Sequence, residues 1–424
     1  MDVRSIRGTH DILPGSIELW HQIEATVRDL FPRYGFEEIR TPVLEETELF
    51  ARSIGGETDI VQKEMFTLED TRGNRMSLRP EGTAPVVRSY LELNLQSLAS
   101  TVKLYYLGPM FRRERPQKGR YRQFHQLGAE VLGTDHPAVE AEVLEMLTSF
   151  LNRMGLREYR LLVNSVGCAN CRPAFVALLR RQARLVAEQL CGQCNRRLDN
   201  NPLRIFDCKV PGCQPWIAEL PTIDHHWCEE CRTHYAGFKT YLDLHGLEYS
   251  EEPRLVRGLD YYVRTTFEII SDQLGPTQNA LLGGGRYDGL AEILGGTPTQ
   301  GFGFALGLER LVLLLSGRDS IQAPFQLPAP DLILIYFDER TFQAALVLQK
   351  NLREAGIRTE VDFSARSLKA QLRWANRIGA RFTCVLGENE LESGKMVLKQ
   401  MLDGEQIPVT RASLTATLLD RLSA

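Results

Sequence analysis

The stretch Phe111–Glu130 reads FRRERPQKGRYRQFHQLGAE. Six of its twenty residues are Lys or Arg and two are Glu, yet it ends in an apolar alternation. Charge runs of this kind usually form a solvated face or a loose basic arm. The second half reads differently. Side chains of a strand point alternately to opposite faces, so Phe124, Gln126, Gly128 and Glu130 share one face and His125, Leu127, Ala129 and Val131 share the other. The second face is mostly apolar and packs on helices. The first offers an amide at Gln126, a carboxylate at Glu130 and, at Gly128 between them, floor space for a small polar ligand. Pattern alone does not separate this from a solvent-facing strand side. Upstream, Pro116–Gly119 is a turn signal, which pairs Met110–Arg115 with Tyr121–Val131 as an antiparallel hairpin. Arg112 inside such a strand can aim a rigid fork at a phosphate. The loop Arg115–Arg122 then projects past the sheet edge, with spare cations for a phosphodiester backbone or for solvent.

Outward from this hairpin, strand-like runs recur at KLYYLGPMF, YRLLVNSV, TTFEII and GFGFAL. Helical spacing is strong over Leu19–Tyr34 and Ala138–Met154. Long helices interrupt the strands only occasionally, which argues an α+β fold on a largely antiparallel sheet flanked by helices. From about Gly167 to Leu247 the chain turns Cys-rich and helical before strands resume, so it reads as an insertion. Three prolines at Pro324, Pro328 and Pro330 mark a linker. Beyond it, strands and helices alternate as in a separate α/β domain with a mostly parallel sheet. The expected division is residues 1–166 and 248–322 for the main domain, 167–247 for the insertion, 323–330 for the linker and 331–424 for the last domain.

The 424 residues are 43% hydrophobic, ample for several cores. The net charge of −4 announces no nucleic-acid partner, so any basic footprint is local. There is no secretory-type apolar run at the N-terminus and no stretch long enough to span a bilayer. A soluble cytoplasmic protein is the expectation. Eight of nine cysteines lie between Cys168 and Cys231. In a reducing compartment they read as metal ligands or buried thiols before disulfides. The spacing of Cys191, Cys194, Cys208 and Cys213 is acceptable for a four-thiolate structural zinc. Cys168, Cys171, Cys228 and Cys231 form a second site only if the insertion brings its ends together.

Between Phe363 and Gly387 no acidic residue occurs. Arg366, Lys369, Arg373 and Arg377 step by three or four and line one helix face. Leu368, Leu372, Ala375 and Ile378 form an apolar stripe beside them. The basic face is either solvated or turned to RNA.

Further motifs sharpen the picture. SLRPEGTAPVVRSYL sets Glu81 and Thr83 at a helix start, and RGLDYY (Arg257–Tyr262) opens a strand. GGGRYDG (Gly283–Gly289) and GFGFALGLER (Gly301–Arg310) are glycine-dense without a phosphate-loop fingerprint. With FRRE (Phe111–Glu114), RGTHD (Arg7–Asp11) and RPEGTA (Arg79–Ala84), these motifs make the chain resemble the histidyl-tRNA synthetase family of class II aminoacyl-tRNA synthetases, over essentially its whole length.

The resemblance implies a class II catalytic domain with a C-terminal α/β anticodon-binding domain. It implies formation of histidyl-adenylate from histidine and ATP with Mg2+, then transfer of histidine to the 3′ end of tRNA(His). By motif, Arg112 holds the α-phosphate, Arg257 sits beside the substrate carboxylate and Arg310 clamps the γ-phosphate, with Glu114 and Arg120 also at the ATP. Glu81, Thr83 and Gln126 hold the substrate ammonium. Glu130 and Tyr262 bracket the imidazole, with Tyr261 beside them. Both tyrosines cannot face one way in a regular strand, so a break near Gly258, or a tyrosine at the rim, is expected. Arg115, Gln117 and Lys118 meet the tRNA acceptor end. Arg366, Lys369 and Arg373 meet the anticodon arm. A homodimer across the region of Pro42 is implied, and zinc is not a general feature of the family. The alternative is a catalytically silent paralogue that binds histidine as a regulatory subunit of its biosynthesis. Such paralogues lose the last domain and catalytic residues, whereas here the domain, Arg112, Arg257 and Arg310 are all present.

Overall fold

Helix α1 (Ile17–Leu30) forms because Trp20, Ile23, Val27 and Leu30 recur every three or four residues and are all buried. A tight turn over Phe31–Tyr34 ends at Gly35, whose φ of 78° suits glycine. The computed structural model describes residues 3–55, 58, 60–258, 261–275, 279–317, 328–364 and 366–423. Residues 16–317 form the body of one compact unit and residues 328–423 that of another. Most of the expected linker, 323–327, lies outside the described residues.

After α1 come β1 (Glu37–Glu38), β2 (Leu44–Glu46), α2 (Thr47–Ile54), β3 (Phe66–Glu69) and β4 (Arg75–Leu78). Helix α3 (Thr83–Glu92) leads to the hairpin of β5 (Val102–Phe111) and β6 (Gln123–Leu132). Helix α4 (Pro137–Arg153) and β7 (Arg160–Ser165) precede the insertion helices α5 (Arg172–Leu185), α6 (Gly192–Asn200), α7 (Gln214–Ala218) and α8 (Glu229–Leu244). The unit closes with β8 (Ser250–Glu251), β9 (Val263–Ile270), β10 (Ala280–Arg286), α9 (Leu290–Ile293), β11 (Gly301–Gly307) and α10 (Leu308–Ser316).

Eight strands form one sheet in the order β1-β5-β6-β11-β10-β9-β7-β8. Only the edge pairs β1–β5 and β7–β8 are parallel; the other neighbours are antiparallel, as the sequence implies. The hairpin lies further back than expected. Pairing runs from Val102 opposite Leu132 to Phe111 opposite Gln123, so Arg112 sits just past the strand. The chain beyond it has other partners: Arg113 N–H donates to Glu64 O at 2.6 Å and Arg122 N–H to Gly8 O at 2.7 Å. The RGTHD segment thus braces the loop from its outer side, with His10 edge-on to Tyr121 at 4.7 Å.

One face of the sheet buries Leu127, Ala129, Val131, Phe267, Phe302 and Phe304 against α1, α4, α8 and α10. Helix α8 joins this core through Tyr235, Phe238 and Leu242. The Cys-rich region has a small core of its own around Phe175, Leu179, Leu198, Ile205 and Ile217.

In the second unit, β12 (Leu332–Tyr336) lies between β13 (Thr359–Val361) and β14 (Phe382–Leu386), both parallel to it. A hairpin of β15 (Lys395–Gln400) and β16 (Gln406–Thr410) adds two antiparallel pairs. The sheet is therefore mixed, not mostly parallel. Asp403-Gly404, with Gly404 at φ 81°, turns that hairpin. Helices α11 (Glu339–Glu354) and α12 (Leu368–Arg377) cover the sheet; Ala375, with Leu368, Leu372 and Ile378, packs on Ile333 and Ile335.

Candidate active site

The face of the large sheet turned away from α1, α4, α8 and α10 opens on a cavity of about 880 Å³. Its floor follows from the alternation in GFGFALG. Phe302, Phe304 and Leu306 enter the core, leaving Gly301, Gly303, Ala305 and Gly307 on the cavity side. Gly303 pairs with Glu130, and a Cβ on Gly303 would stand 1.8 Å from Glu130 Oε2. The glycine lets the Glu130 side chain lie flat across the next strand.

Glu130 is completely buried and lies below the surface of the cavity. Thr83 Oγ1 donates to its Oε1 at 2.6 Å and the Tyr287 hydroxyl to its Oε2. Burial pushes its pKa up to about 8, against the opposing effect of these two donors. Glu130 therefore does not present its oxygens to the cavity. The gap expected at Gly128 is not open either. The Tyr106 ring lies over it, so close that a Cβ there would meet the hydroxyl at 2.2 Å. Parity finds the face, but the cross-strand neighbour Tyr106 fills it.

Glu81 and Thr83 stand where the sequence places them. Glu81 accepts from the backbone N–H groups of Thr83 at 2.7 Å and Ala84 at 2.9 Å, the first turn of α3. Burial raises its pKa despite these donors. Gln126 is buried on the same wall, and its side-chain oxygen has no partner among the described residues. A buried acceptor left open beside a carboxylate is a place for an N–H donor.

Arg257 lies across Gly283, where a Cβ would stand 2.3 Å from its Nη1, and pairs with Glu268 on β9. Burial, the largest single influence, would lower its pKa; Glu268 together with Tyr262, Asp207 and Tyr261 more than offsets that and raises it. Tyr261 and Tyr262 are both buried at the cavity, their rings 4.7 Å apart. They share a side because β9 begins only at Val263, after both. Leu259 and Asp260, beside the break expected near Gly258, lie outside the described residues. An irregularity on the other side is plain: Arg264 has φ 51°, and the β9–β10 register shifts next to Gly285.

Arg112 Nε donates to Pro80 O at 2.9 Å, and its guanidinium lies over Phe124 at 5.3 Å. Glu114 sits between Arg112 at 3.7 Å and Arg120 at 3.1 Å. Arg310 reaches the same cavity, donating to Gly119 O at 3.2 Å and to Ala280 O. Arg112, Arg257 and Arg310 therefore line one space. Gln117 and Lys118 are exposed on the turn closed by Gln117 and Arg120, and Arg115 is exposed just before it.

Four residues at the site carry roles that the motifs do not announce. Tyr106 and Tyr287 seal Glu130, Glu268 orients Arg257, and Glu309 accepts from His125 N–H at 2.8 Å. Glu268 has a legible sign, a lone acid in TTFEII. Tyr287 lies inside GGGRYDG without a role attached. Beside it, Arg286 is fully buried against Glu140 and Asp288, a brace under β10 and not a ligand group.

In the second unit Lys369, Arg373 and Arg377 are exposed on α12. Arg366 departs from that face. It precedes the helix, pairs with Asp362 at 3.3 Å and lies over Trp374. In the insertion both cysteine quartets come together. No helix among the described residues is long and apolar enough to cross a membrane.

The family model for histidyl-tRNA synthetase matches residues 8–183 and 226–311, and that for an anticodon binding domain matches 331–421. A histidine–tRNA ligase of Solibacter usitatus is 47% identical over 98% of this chain and 99% of its own. The chain belongs to the histidyl-tRNA synthetase family. A histidine–tRNA ligase of Syntrophotalea carbinolica is 46% identical over 99% of both chains. An apo histidyl-tRNA synthetase structure from S. aureus superposes with a TM-score of 0.80 at 37% identity, covering 98% of this chain and 100% of that one. Membership makes the chain an ATP-dependent aminoacyl-tRNA ligase with the class II fold, and nothing favours the silent paralogue.

Proposed function

We propose that this cavity condenses histidine with ATP and then passes histidine to the 3′ end of tRNA(His). The observation that carries the reading is the convergence of Arg112, Arg257 and Arg310 on the cavity that Glu81, Thr83 and Gln126 also line. Adenylation needs little covalent help from protein. The histidine carboxylate attacks the α-phosphorus, pyrophosphate leaves, and charge grows on both. Guanidinium groups stay protonated and grip phosphate through paired hydrogen bonds. Arg112 holds the α-phosphate, with Glu114 and Arg120 beside the nucleotide. Arg257, oriented by Glu268, spans the carboxylate and the α-phosphate. Arg310 takes the γ-phosphate. ATP enters as its magnesium complex, and Glu114, Glu268 and Glu309 supply hard oxygens at the same cavity.

Glu81, Thr83 and Gln126 receive the substrate ammonium, the Gln126 oxygen being the open acceptor. Tyr261 and Tyr262 flank the imidazole. Glu130 belongs to the histidine set from beneath the floor, acting through Thr83 and Tyr287. A pocket that hydrogen-bonds both ring nitrogens rejects apolar isosteres by about 10⁴–10⁵, because its own polar groups would be left unpaired. No editing domain is then needed.

Residues 1–166 and 248–322 hold the chemistry, 167–247 wall it, and 331–424 dock the anticodon arm through Lys369 and Arg373, with Arg366 at the helix start. The exposed Arg115, Gln117 and Lys118 meet the acceptor end. Two chains pair through the region of Pro42, where Val43, Leu44 and, on β3, Leu68 are exposed. The setting is the cytoplasm. Charging of bulk tRNA with labelled histidine tests the reading: histidine alone among the amino acids becomes bound to tRNA, and charging with another amino acid instead sinks it.

A further inference from the structure

All nine cysteines are free thiols, and eight of them form two quartets. In each quartet the four sulfurs lie within 4.8 Å of one another. In the first, Cys168 Sγ is 3.9 Å from Cys171 and 3.7 Å from Cys228, and Cys171 is 3.8 Å from Cys231. In the second, Cys191 and Cys208 are 4.0 Å apart. Four sulfurs held tetrahedrally at about 2.3 Å from a zinc ion stand about 3.8 Å from each other. A disulfide would draw two of them to about 2.05 Å. Spacings this small around one centre enclose a single ion and leave no room for a cluster's bridging sulfides.

The surroundings suit thiolates. Backbone N–H groups point at sulfur from Cys168 to Cys171 at 3.3 Å, from Cys191 to Cys213 at 3.1 Å and from Val210 to Cys208 at 3.4 Å. Such outer contacts orient metal ligands and stabilise their charge. We propose that the insertion holds two structural zinc ions, one in each thiolate quartet.

The two ions do different things. The first quartet joins the insertion's ends, the Cys168 pair just after β7 and the Cys228 pair at the start of α8. Its flanking residues Gly167 and Arg172 are tied to the chain around Tyr262. Gly167 O accepts from Arg264 N–H at 2.8 Å, and Arg172 donates to Tyr262 O at 2.6 Å. This ion fixes where the chain leaves the sheet and, through Arg172, positions Tyr262. The second quartet ties Cys191–Cys194 to Cys208–Cys213, and the segment between carries Arg204 and Asp207 to the cavity wall, with Lys209 beside Cys208. These two consequences rest on the proposed function; the metal content does not.

The test uses full-length, untagged protein purified without chelators. Elemental analysis should find about two zinc ions per chain, and X-ray absorption should show about four sulfur neighbours at about 2.3 Å. Modifying the thiols with a mercurial should release both ions. The double variant Cys194→Ser, Cys208→Ser should retain one ion, the first. Zinc well below two per chain with freely titrating thiols, disulfides by mass, or iron in place of zinc would each overturn the proposal. Both ions present in a protein without histidine-dependent activity would instead overturn the functional reading and leave this one standing.

Discussion

Gly283 and Arg257 compete for one volume: a Cβ built on Gly283 would stand 2.3 Å from Arg257 Nη1. The obstacle is the end of a flexible side chain and not backbone, so Gly283→Ala should fold well, within about 1 kcal/mol of the parent. The Arg257 guanidinium must move, however. Adenylation should fall by about 10²–10³, the usual loss for one preorganised charge donor. Thermal unfolding and pyrophosphate exchange measure the two sides; parental exchange rates in the variant would refute the placement.

Arg257→Ala isolates the same group directly. In the role proposed for it, its contact with the α-phosphate strengthens as charge develops, so kcat for adenylation should drop by about 10²–10³. Histidine affinity, measured by calorimetry, should change by less than about tenfold. Arg257→Lys should not restore the rate, because a point charge cannot reproduce the fork against Glu268. Equal losses in rate and affinity would remove the catalytic role.

Glu130 gives a pH dependence whose sign is fixed by burial. Its pKa is raised from an ordinary 4.5 to about 8. Between those values the unfolded chain loses a proton that the native chain keeps, so this group makes stability fall as pH rises, levelling off above about 8. Glu130→Gln mimics the neutral form. Urea midpoints at about pH 5, 7 and 8.5 should show the variant gaining on the parent as pH rises, by on the order of a few kcal/mol in all. A difference that stays constant over that range would show that Glu130 is already ionised in the native state.

Lys369→Ala with Arg373→Ala removes two exposed cations from α12. The kcat/KM for tRNA should fall about tenfold or more, and the salt dependence of tRNA binding should flatten by roughly two charges. Histidine-dependent pyrophosphate exchange should be unchanged. A loss confined to the exchange reaction would contradict the assignment of this helix to RNA.

Much of the site is legible in the amino-acid sequence. Alternation in QFHQLGAEV separates Gln126 and Glu130 from Leu127 and Val131, and the side-chain period of a strand leaves no other choice. The arginines come from motif context. Register is what local sequence cannot supply. Tyr106 covers Gly128 only because residue 106 pairs with residue 128, and no local pattern says so. Whether Glu130 lies on an open floor or is sealed beneath it is decided by that pairing and by the distant partners Thr83 and Tyr287. Arg366 looks helical by spacing, but Ser367 caps α12 after it. The β15–β16 hairpin is hidden because its strands are short and do not alternate: KMVLKQ and QIPVT each hold a run of three apolar residues, the second centred on Pro408, although Asp403-Gly404 is a turn signal in plain sight.

Activation of histidine by ATP in this pocket is the step on which every role assigned to the cavity depends. Histidine-dependent exchange of labelled pyrophosphate into ATP, measured on the purified chain without tRNA, tests it most directly. Exchange is expected with histidine, none with other amino acids, and it should be lost in Arg257→Ala. A protein that binds histidine with the affinity of a substrate yet catalyses no exchange would contradict this assignment.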